Sequence, residues 1–582
     1  MRVLFFSPHA GIWPHSFPEA LVADAIRATP AELVYVTCGG ALDSFCVTMA
    51  AHRLTAVSPR AEKQAVCNRC RATRDRLRRG FGFTSYDFET VLTDTDRLRI
   101  ETILADANPD EIERLLVDGV QVGRATYYEF LIERKKTRLE LTLEEWHAFR
   151  PRLANTLRSA IAAGRILDRE RPDVVVAYNS LYSVNAVWRA HADLRGIPFY
   201  FVHGGLSLVD RLQHVVVGRD TTLEFWTRLV AAWPRYRDLP CNEAELNHVT
   251  EHFLQLFQGT SVFAYSAPKS AVAENVRGRF GVKRSQQLLV ATMSSYDEYV
   301  AAAAVGGVPD PSTLLFPTQL AWLRALVAWV HDRPELFLLV RVHPREFPNK
   351  RDGLKSEHAL ALERELTKLP DNVRVNWPTD DLSIYDVAEQ ADAFLNAWSS
   401  AGKEMTLLGL PVVTYCPTVL QYPAELNYVG TTHASYFAAI EQALRDGWSF
   451  ERIRGAYRWC VLEFVRGLAD IRDGFAWSEL TPQTLLERIR NLLLSPPAVR
   501  QHIDLWRRPQ LLVEQPRLSQ LVTSGAPTLL DTAPPPRHAV TVDVETELLR
   551  ENVRRLMRAL YPAPASAQPA AGLRARLESA VA

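Results

Sequence analysis

A stretch near the middle of the chain places three basic side chains at the end of a buried strand, a pattern suited to binding phosphate. The apolar run that begins at Leu336 reaches Arg341, and His343, Pro344 and Arg345 follow directly. Pro344 removes a backbone donor and fixes the turn, so the strand stops and the imidazole is directed away from it. We predict that these residues bind the phosphate of a donor. The alternative is a capped strand end with a surface histidine.

A second predicted strand is followed by small polar residues and a helix start. The run Ala393–Asn396 leads into Ser399, Ser400, Gly402 and Glu404. Ligands of open α/β sheets bind beyond the carboxyl ends of the strands, where a helix N-terminus offers N–H groups to an anion. Two such strand ends predict a nucleotide mono- or diphosphate site, with Glu404 accepting from a ribose hydroxyl. The alternative is a plain turn with a serine N-cap.

A third predicted strand, Leu288–Thr292, ends in Ser294 and Ser295. The family resemblance described below implies that this loop borders the donor, and an ordinary helix cap is an equal alternative.

Histidines and carboxylates near two strand ends of the first half could act as a general base. His9 and Glu19 follow the first predicted strand, and His203 follows the strand Phe199–Val202. His203 is the preferred base, because the two glycines after it let the backbone approach a ligand closely. His15 and Asp210 are further candidates. A histidine in a loop is often structural, and that alternative applies to each.

Four cysteines follow the pattern C-x7-C-x20-C-x2-C at Cys38, Cys46, Cys67 and Cys70. Four thiols could hold a structural zinc ion or an iron–sulfur cluster. The alternative is four separate, small buried residues.

Charge and hydropathy exclude several classes of protein. Lys plus Arg and Asp plus Glu both number 67 in the 582 residues, and no long basic stripe suggests a nucleic-acid partner. The apolar run at Arg2–Pro8 is too short for a signal peptide, and no segment approaches the roughly 18 apolar residues of a membrane span. We predict a cytoplasmic protein, with attachment to the inner face of the cell membrane as an alternative. Seven cysteines in a reducing compartment argue against a disulfide framework.

Short buried strands alternate with helical stretches along the chain, which predicts parallel, doubly wound sheets. The predicted strands are Val3–Ser7, Leu33–Thr37, Val174–Tyr178, Phe199–Val202 and Ser261–Tyr265, then Leu288–Thr292, Leu336–Val342, Val373–Asn376, Ala393–Asn396 and Val412–Tyr415. The fold class is therefore α/β, with two Rossmann-like domains facing a cleft. The domains are predicted at 1–275, with a helical insertion at about 86–152, and at 276–480.

The C-terminal part is predicted to be helical. Helices are expected at 481–530, and a Pro-rich linker with an amphipathic helix at 531–582. Val542, Leu549, Val553, Leu556 and Leu560 recur at heptad-like spacing. This seam predicts either a coiled-coil tether that forms a homo-oligomer or a helix packed on the body.

The residues from Leu288 to Tyr415 resemble bacterial capsule and surface polysaccharide biosynthesis glycosyltransferases. These are two-domain GT-B enzymes related to the β-Kdo transferases. The likeness rests on the segment around His343-Pro344, the helix Phe316–Leu323, the segment Ser399–Glu404 and the run Gly409–Val413. It implies a nucleotide-sugar donor, with a cytidine monophosphate sugar favoured, a glycan or lipid-linked acceptor, and no catalytic metal. Lys403 departs from the apolar residue that the wider fold has at this position.

The sequence thus favours a glycosyltransferase, with the acceptor on the first domain and the donor on the second. A nucleotide-sugar epimerase or a polyol-phosphate transferase of the same fold is one alternative. A non-catalytic scaffold of polysaccharide assembly is another.

Overall fold

The computed structural model describes residues 1–261, 263, 265, 267–270, 274–349, 352–475, 513–535, 540–561 and 572–582. Its strands are β1 Arg2–Ser7, β2 Glu32–Thr37, β3 Ser85–Asp87, β4 Leu116–Val117, β5 Val120–Gln121, β6 Val174–Tyr178, β7 Phe199–Gly204, β8 His214–Arg219, β9 Gln287–Thr292, β10 Leu336–Arg341, β11 Val373–Asn376, β12 Ala393–Asn396, β13 Val412–Thr414, β14 Tyr428–Val429 and β15 Ala469–Asp470.

The α-helices lie between and after these strands. They are α1 Trp13–Arg27, α2 Val47–Ala51, α3 Arg60–Phe81, α4 Asp94–Asp106, α5 Val122–Ala125, α6 Tyr127–Arg134, α7 Leu143–Glu170, α8 Ser183–Asp193, α9 Thr222–Ala232, α10 Glu243–Phe257, α11 Val276–Phe280, α12 Tyr296–Ala304, α13 Gln319–His331, α14 Glu357–Glu365, α15 Ile384–Ala388, α16 Ala401–Leu407, α17 His433–Asp446, α18 Phe450–Val461, α19 Gln515–Ser524, α20 Val542–Leu560 and α21 Gly572–Val581. Among the described residues, no helix is long and apolar enough to cross a membrane.

The first domain is built on a seven-stranded sheet in the order β15-β8-β7-β6-β1-β2-β3. The five strands from β7 to β3 are parallel, whereas β8 and β15 add to the edge in antiparallel fashion. Alternate residues of β1 face opposite sides: Leu4 and Phe6 join one buried cluster, Val3 and Phe5 another. Helices therefore cover both faces, as expected of a doubly wound sheet.

The second domain contains a six-stranded, entirely parallel sheet in the order β11-β10-β9-β12-β13-β14. Leu288 and Val290 on one face of β9 belong to the same buried cluster as Leu4 and Phe6 of the first sheet. One continuous core therefore connects the two domains. The predicted α/β fold of two Rossmann-like domains is confirmed.

The strand prediction differs from the structure at the predicted strand Ser261–Tyr265 and at six strands that the sequence does not predict, which are β3, β4, β5, β8, β14 and β15. Ser261, Phe263 and Tyr265, the described residues of the predicted strand Ser261–Tyr265, are not in a strand. An unpredicted strand, His214–Arg219, takes the place beside β7. Its run of three valines is typical of a buried strand. The antiparallel pairing with β7 is hard to predict, because the rest of the sequence predicts parallel strands joined by crossover helices.

The second half of the chain does not stay in the second domain. After α18, a π-helical turn at Leu462–Arg466 leads into β15, which pairs with β8 of the first sheet. The domain predicted at 276–480 therefore contains a segment that completes the sheet of the other domain. The predicted helices between 481 and 512 lie outside the described residues.

The insertion predicted at 86–152 is mainly helical, from α4 to α7, but α7 continues to Glu170. A small antiparallel hairpin, β4 with β5, interrupts it.

The amphipathic helix near the C-terminus packs on the body of the protein. Leu549, Val553 and Leu556 are buried in the shared core. Asn552 Oδ1 accepts from the Thr250 hydroxyl of α10 at 2.6 Å, and Glu545 accepts from Arg458 Nε of α18 at 3.0 Å. Of the two predicted arrangements, the structure has the helix packed on the body, where the chain itself covers the apolar edge.

Candidate active site in the interdomain cleft

Each sheet has a point at which the strand order reverses, and such points are where open α/β sheets bind ligands. In the second sheet the reversal lies between β9 and β12, and in the first sheet between β1 and β6. A cavity of about 290 Å³ opens beside the reversal point of the second sheet. Its lining includes Thr292, Met293, Arg341, His343, Pro344, Ser399, Ser400, Lys403 and Glu404 of the second domain.

Arg341, the last residue of β10, is a buried cation that the carboxylates of Glu404, Asp386 and Asp380 stabilise only in part. Its side chain donates to Asn376 Oδ1, and it forms no ion pair with a carboxylate in the described part of the chain. Burial lowers the pKa of Arg341 to about 10, so the guanidinium remains charged at neutral pH. A buried charge is costly unless a counter-charge approaches it. The site is therefore arranged to receive an anion.

His343 lies beside Arg341 as a neutral hydrogen-bond donor. The backbone N–H of Arg345 donates to His343 Nδ1 at 3.2 Å, which leaves the proton on Nε2. Burial lowers the pKa of His343 to about 3, and the charges of Arg345, Arg341 and Lys135 act in the same direction. His343 can thus offer its Nε2–H to a ligand oxygen throughout the physiological pH range.

Arg345 has a different role from the one predicted. It is absent from the lining of the cavity, and its guanidinium pairs with buried Asp297 at 2.9 Å and with Glu298 at 3.3 Å. The charge is therefore neutralised within the protein. Arg345 supports the loop after β10 and does not contact the cavity.

The loop between β12 and α16 matches the prediction in part. Ser399 and Ser400 line the cavity, and a Cβ at Gly402 would overlap with Tyr422 and Asn396, so this glycine is required for close packing. Glu404 accepts from the Ser400 hydroxyl at 3.0 Å and from the Tyr385 hydroxyl at 2.8 Å.

Ser294 and Ser295 lie next to the cavity without lining it. The backbone N–H of Ser294 donates to Gln319 Oε1, and Gln319 Nε2 donates to the backbone carbonyl of Ser294, both at 2.9 Å. The Ser295 hydroxyl donates to Asp297. Both residues shape the loop after β9, while Thr292 and Met293 face the cavity.

Sequence reasoning missed His252 and Glu463, which line the cavity together with Lys403. His252 of α10 accepts from the Leu208 N–H at Nδ1, at 2.9 Å, and its ring stacks on Phe464 with centroids 4.3 Å apart. Lys403 forms a buried ion pair with Glu463, which comes from the π-helical turn. No local pattern marks these residues, because they come from separate parts of the chain.

In the first domain, three of the predicted base candidates form one buried polar cluster with Tyr178. The His15 ring stacks on Tyr178 at 4.1 Å, and Tyr178 stacks on His203 at 5.5 Å. The charge of His9 acts on His15, which places it in the same cluster. Asp210 instead begins the turn before β8, where its carbonyl accepts from His214 Nδ1.

The members of this cluster differ in their readiness to accept a proton. His203 Nδ1 donates to the Gly204 carbonyl at 3.1 Å, so Nε2 keeps its lone pair. His9 is 5% exposed, and neither of its ring nitrogens has a hydrogen-bond partner among the described residues. Burial raises the pKa of Glu19 to about 8, which makes it a neutral acid near pH 7. His203 is half-buried, and burial lowers the pKa of its imidazole, so it is a neutral base at physiological pH.

The four cysteines of the predicted metal site line one small cavity beside β1 and β2. Burial raises the pKa of all four thiols, that of Cys46 to about 12, so they are protonated at neutral pH. In the described part of the chain, no group of three or more His, Cys, Asp or Glu side chains is arranged to hold a metal ion.

Comparisons with known proteins give structural neighbours. No protein-family model and no curated protein matches the chain. Among solved structures, it is similar to the spinosyn rhamnosyltransferase SpnG complexed with thymidine diphosphate, at 15% identity over 79% of this chain and 96% of that chain, with a TM-score of 0.22. The glycosyltransferase SnogD from Streptomyces nogalater has 14% identity over 79% and 95%, with a TM-score of 0.23.

A further neighbour is the UDP-GlcNAc 2-epimerase of Methanocaldococcus jannaschii in complex with UDP-GlcNAc and UDP. It has 12% identity over 79% of this chain and 98% of that chain, with a TM-score of 0.25. Identities and TM-scores this low support no functional assignment, which therefore depends on the residues of the cleft.

Proposed function

We propose that this protein is a glycosyltransferase that transfers a sugar from a nucleotide-sugar donor to a surface polysaccharide or another glycan acceptor. The observation that carries the proposal is the pair of Arg341 and His343 at the cavity. A buried guanidinium that forms no ion pair among the described residues and a neutral imidazole donor meet the needs of a phosphate group.

The donor lies in the cavity of the second domain, with its phosphate against Arg341 and His343. As the bond to the sugar breaks, negative charge develops on the leaving phosphate. Donors already fixed in place stabilise such charge without reorganisation. Ser399, which lines the same cavity, can supply a further hydroxyl donor, whereas the Ser400 hydroxyl already donates to Glu404.

The acceptor approaches from the first domain. His203 Nε2 takes the proton from the attacking hydroxyl, since Nδ1 is already committed to the Gly204 carbonyl. The separation of a phosphate-binding domain from a domain that carries a base favours transfer between two substrates.

The finer assignments follow from the resemblance described above. It favours a cytidine monophosphate sugar as donor, a polysaccharide or lipid-linked acceptor, and a transfer that requires no metal. A nucleotide-sugar epimerase would use the same cavity but would need no acceptor.

The proposal is tested by thermal-shift titration with CMP, UDP, GDP, ADP and dTDP, because a ligand that binds only the folded state raises the melting temperature by mass action. Selective stabilisation by one nucleotide, absent in Arg341→Met, is expected. The corresponding nucleotide sugars are then incubated with and without glycan acceptors. Conversion of a donor without any acceptor would indicate an epimerase, and no response to any nucleotide would leave the scaffold alternative.

A further inference from the structure

The loop that carries His343 is held by a lysine from the other domain. Lys135 ends α6, in the insertion of the first domain, and only 2% of its side chain is exposed. Its Nζ donates to the carbonyl oxygens of Arg345 at 2.6 Å and Leu354 at 2.8 Å, and pairs with Asp352 at 2.6 Å. All three acceptors belong to the loop after β10.

These contacts are unusual because a buried ammonium group is expensive to desolvate and needs several good acceptors. Carbonyl groups take up most of its donors here, so the lysine fixes backbone positions. Lys135 itself has a left-handed backbone, with φ of 49°, which turns the chain at the end of α6. Its own carbonyl accepts from Glu357 N at 3.1 Å, a second tie to the other domain.

A short chain of bonds leads from Lys135 to the proposed phosphate donor. The peptide carbonyl of Arg345 is bonded to Lys135, and the N–H of the same residue donates to His343 Nδ1 at 3.2 Å. That second bond places the proton of His343 on Nε2. In addition, the Arg345 guanidinium donates to the Ile132 carbonyl of α6 at 3.3 Å. The first domain therefore holds Arg345 at both its backbone and its side chain.

We infer that Lys135 is a positioning residue: it couples the contact between the two domains to the orientation and tautomer of His343. The expected effect of Lys135 on catalysis rests on the proposed function, but its effect on the orientation and tautomer of His343 does not. When the domains separate, the loop loses its ammonium anchor, and His343 loses the fixed Arg345 N–H. The site would then be complete only when the two domains are in contact.

The adjacent Lys136 offers a matched control. It is also buried, with 6% of its side chain exposed, and also bridges the domains, from Glu145 at 2.9 Å to Glu357 at 3.3 Å. Its side-chain bonds among the described residues do not reach the loop from 343 to 354. Lys135→Met and Lys136→Met therefore both remove an interdomain charge, but only the first removes the anchor of the His343 loop.

The test uses the full-length protein with ¹⁵N-labelled histidine, in which NMR reports the tautomer of each ring and His343→Gln assigns the signal. Wild type and Lys136→Met are expected to show His343 protonated at Nε2 alone, whereas Lys135→Met shows exchange between tautomers. Affinity for CMP and UDP is measured in parallel. It should fall by about 10- to 100-fold in Lys135→Met, the loss that follows when an orienting partner of a functional histidine is removed, and stay unchanged in Lys136→Met.

An unaltered His343 signal and unaltered nucleotide affinity in folded Lys135→Met would overturn the inference. Equal effects in both lysine variants would overturn it as well, because they would indicate a general brace between domains. If wild type binds no nucleotide while the His343 signal still changes only in Lys135→Met, the proposed function fails and the positioning role stands. Should Lys135→Met not fold, Lys135→Gln, which keeps two donors, replaces it.

Discussion

Lys403 Nζ lies 2.7 and 2.5 Å from the two carboxylate oxygens of Glu463, a buried pair that joins the helix after β12 to the crossover between the domains. Lys403 also lies 4.9 Å from the Phe464 ring centroid. Lys403, which departs from the apolar residue of the wider fold, therefore pairs with a residue 60 positions further along the chain. Both side chains line the cavity, so the pair also forms part of its wall.

We predict that Lys403→Met destabilises the protein by about 3–5 kcal/mol, because Glu463 is left buried and unpaired. The double variant Lys403→Met/Glu463→Met should recover most of this loss, since neither charge remains. Urea unfolding of the wild type, both single variants and the double variant measures the coupling. Additive losses in the double variant would show that the pair is not energetically coupled.

His343→Ala is expected to reduce turnover by about 10²–10³-fold, the usual effect of removing one donor that stabilises developing charge. Folding stability should change little, because the ring faces a cavity. Steady-state kinetics with the donor identified by the nucleotide screen measures the effect. His331→Ala, at the exposed end of α13, is the matched control. Turnover close to that of wild type would exclude the assigned role.

Arg341→Met should have opposite effects on the free and the liganded protein. Removal of a buried cation that lacks a carboxylate partner is expected to leave the melting temperature of the free protein unchanged or to raise it. The stabilisation by nucleotide should disappear. Differential scanning calorimetry with and without nucleotide measures both, and retained nucleotide stabilisation would place the phosphate elsewhere.

Glu19 should make the protein less stable as pH rises. Burial raises its pKa from 4.5 to about 8, so between these values the folded state holds a proton that the unfolded state has released. Stability from this group is present below pH 4.5 and is lost as pH rises through about 8. The melting temperature of Glu19→Gln relative to wild type should therefore increase from pH 5 to pH 8.5. A difference that is independent of pH would contradict the raised pKa.

The C-terminal helix α20 should act as a structural brace. Leu556→Ala is expected to cost about 2–5 kcal/mol, as for other buried leucines, without changing the oligomeric state. Thermal melting and sedimentation velocity measure the two quantities. Val544→Ala on the exposed side of the same helix is the control. A change in the sedimentation coefficient with an unchanged melting temperature would instead indicate that the helix is a coiled-coil tether.

Local patterns in the sequence were sufficient to predict most of the strands of the second domain. The strands that end at Arg341 and Asn396 were predicted within one residue, because a fully buried parallel strand is a short apolar run with polar residues at its end. Arg341, His343, Ser399 and Ser400 were assigned to one site for the same reason: parallel strands bring their carboxyl ends to one edge of the sheet.

Tertiary structure alone decided which of those residues reach the cavity and what surrounds them. Arg345 resembles Arg341 in sequence, yet Asp297 neutralises it, and that partner comes from another strand end. The return of β15 to the first sheet and the anchoring of the His343 loop by Lys135 join segments far apart in the chain. The apolar seam of α20 predicted a buried face, but only packing against α10 could show what covers it. Such contacts depend on how complete elements pack together, and no local pattern of residues encodes that.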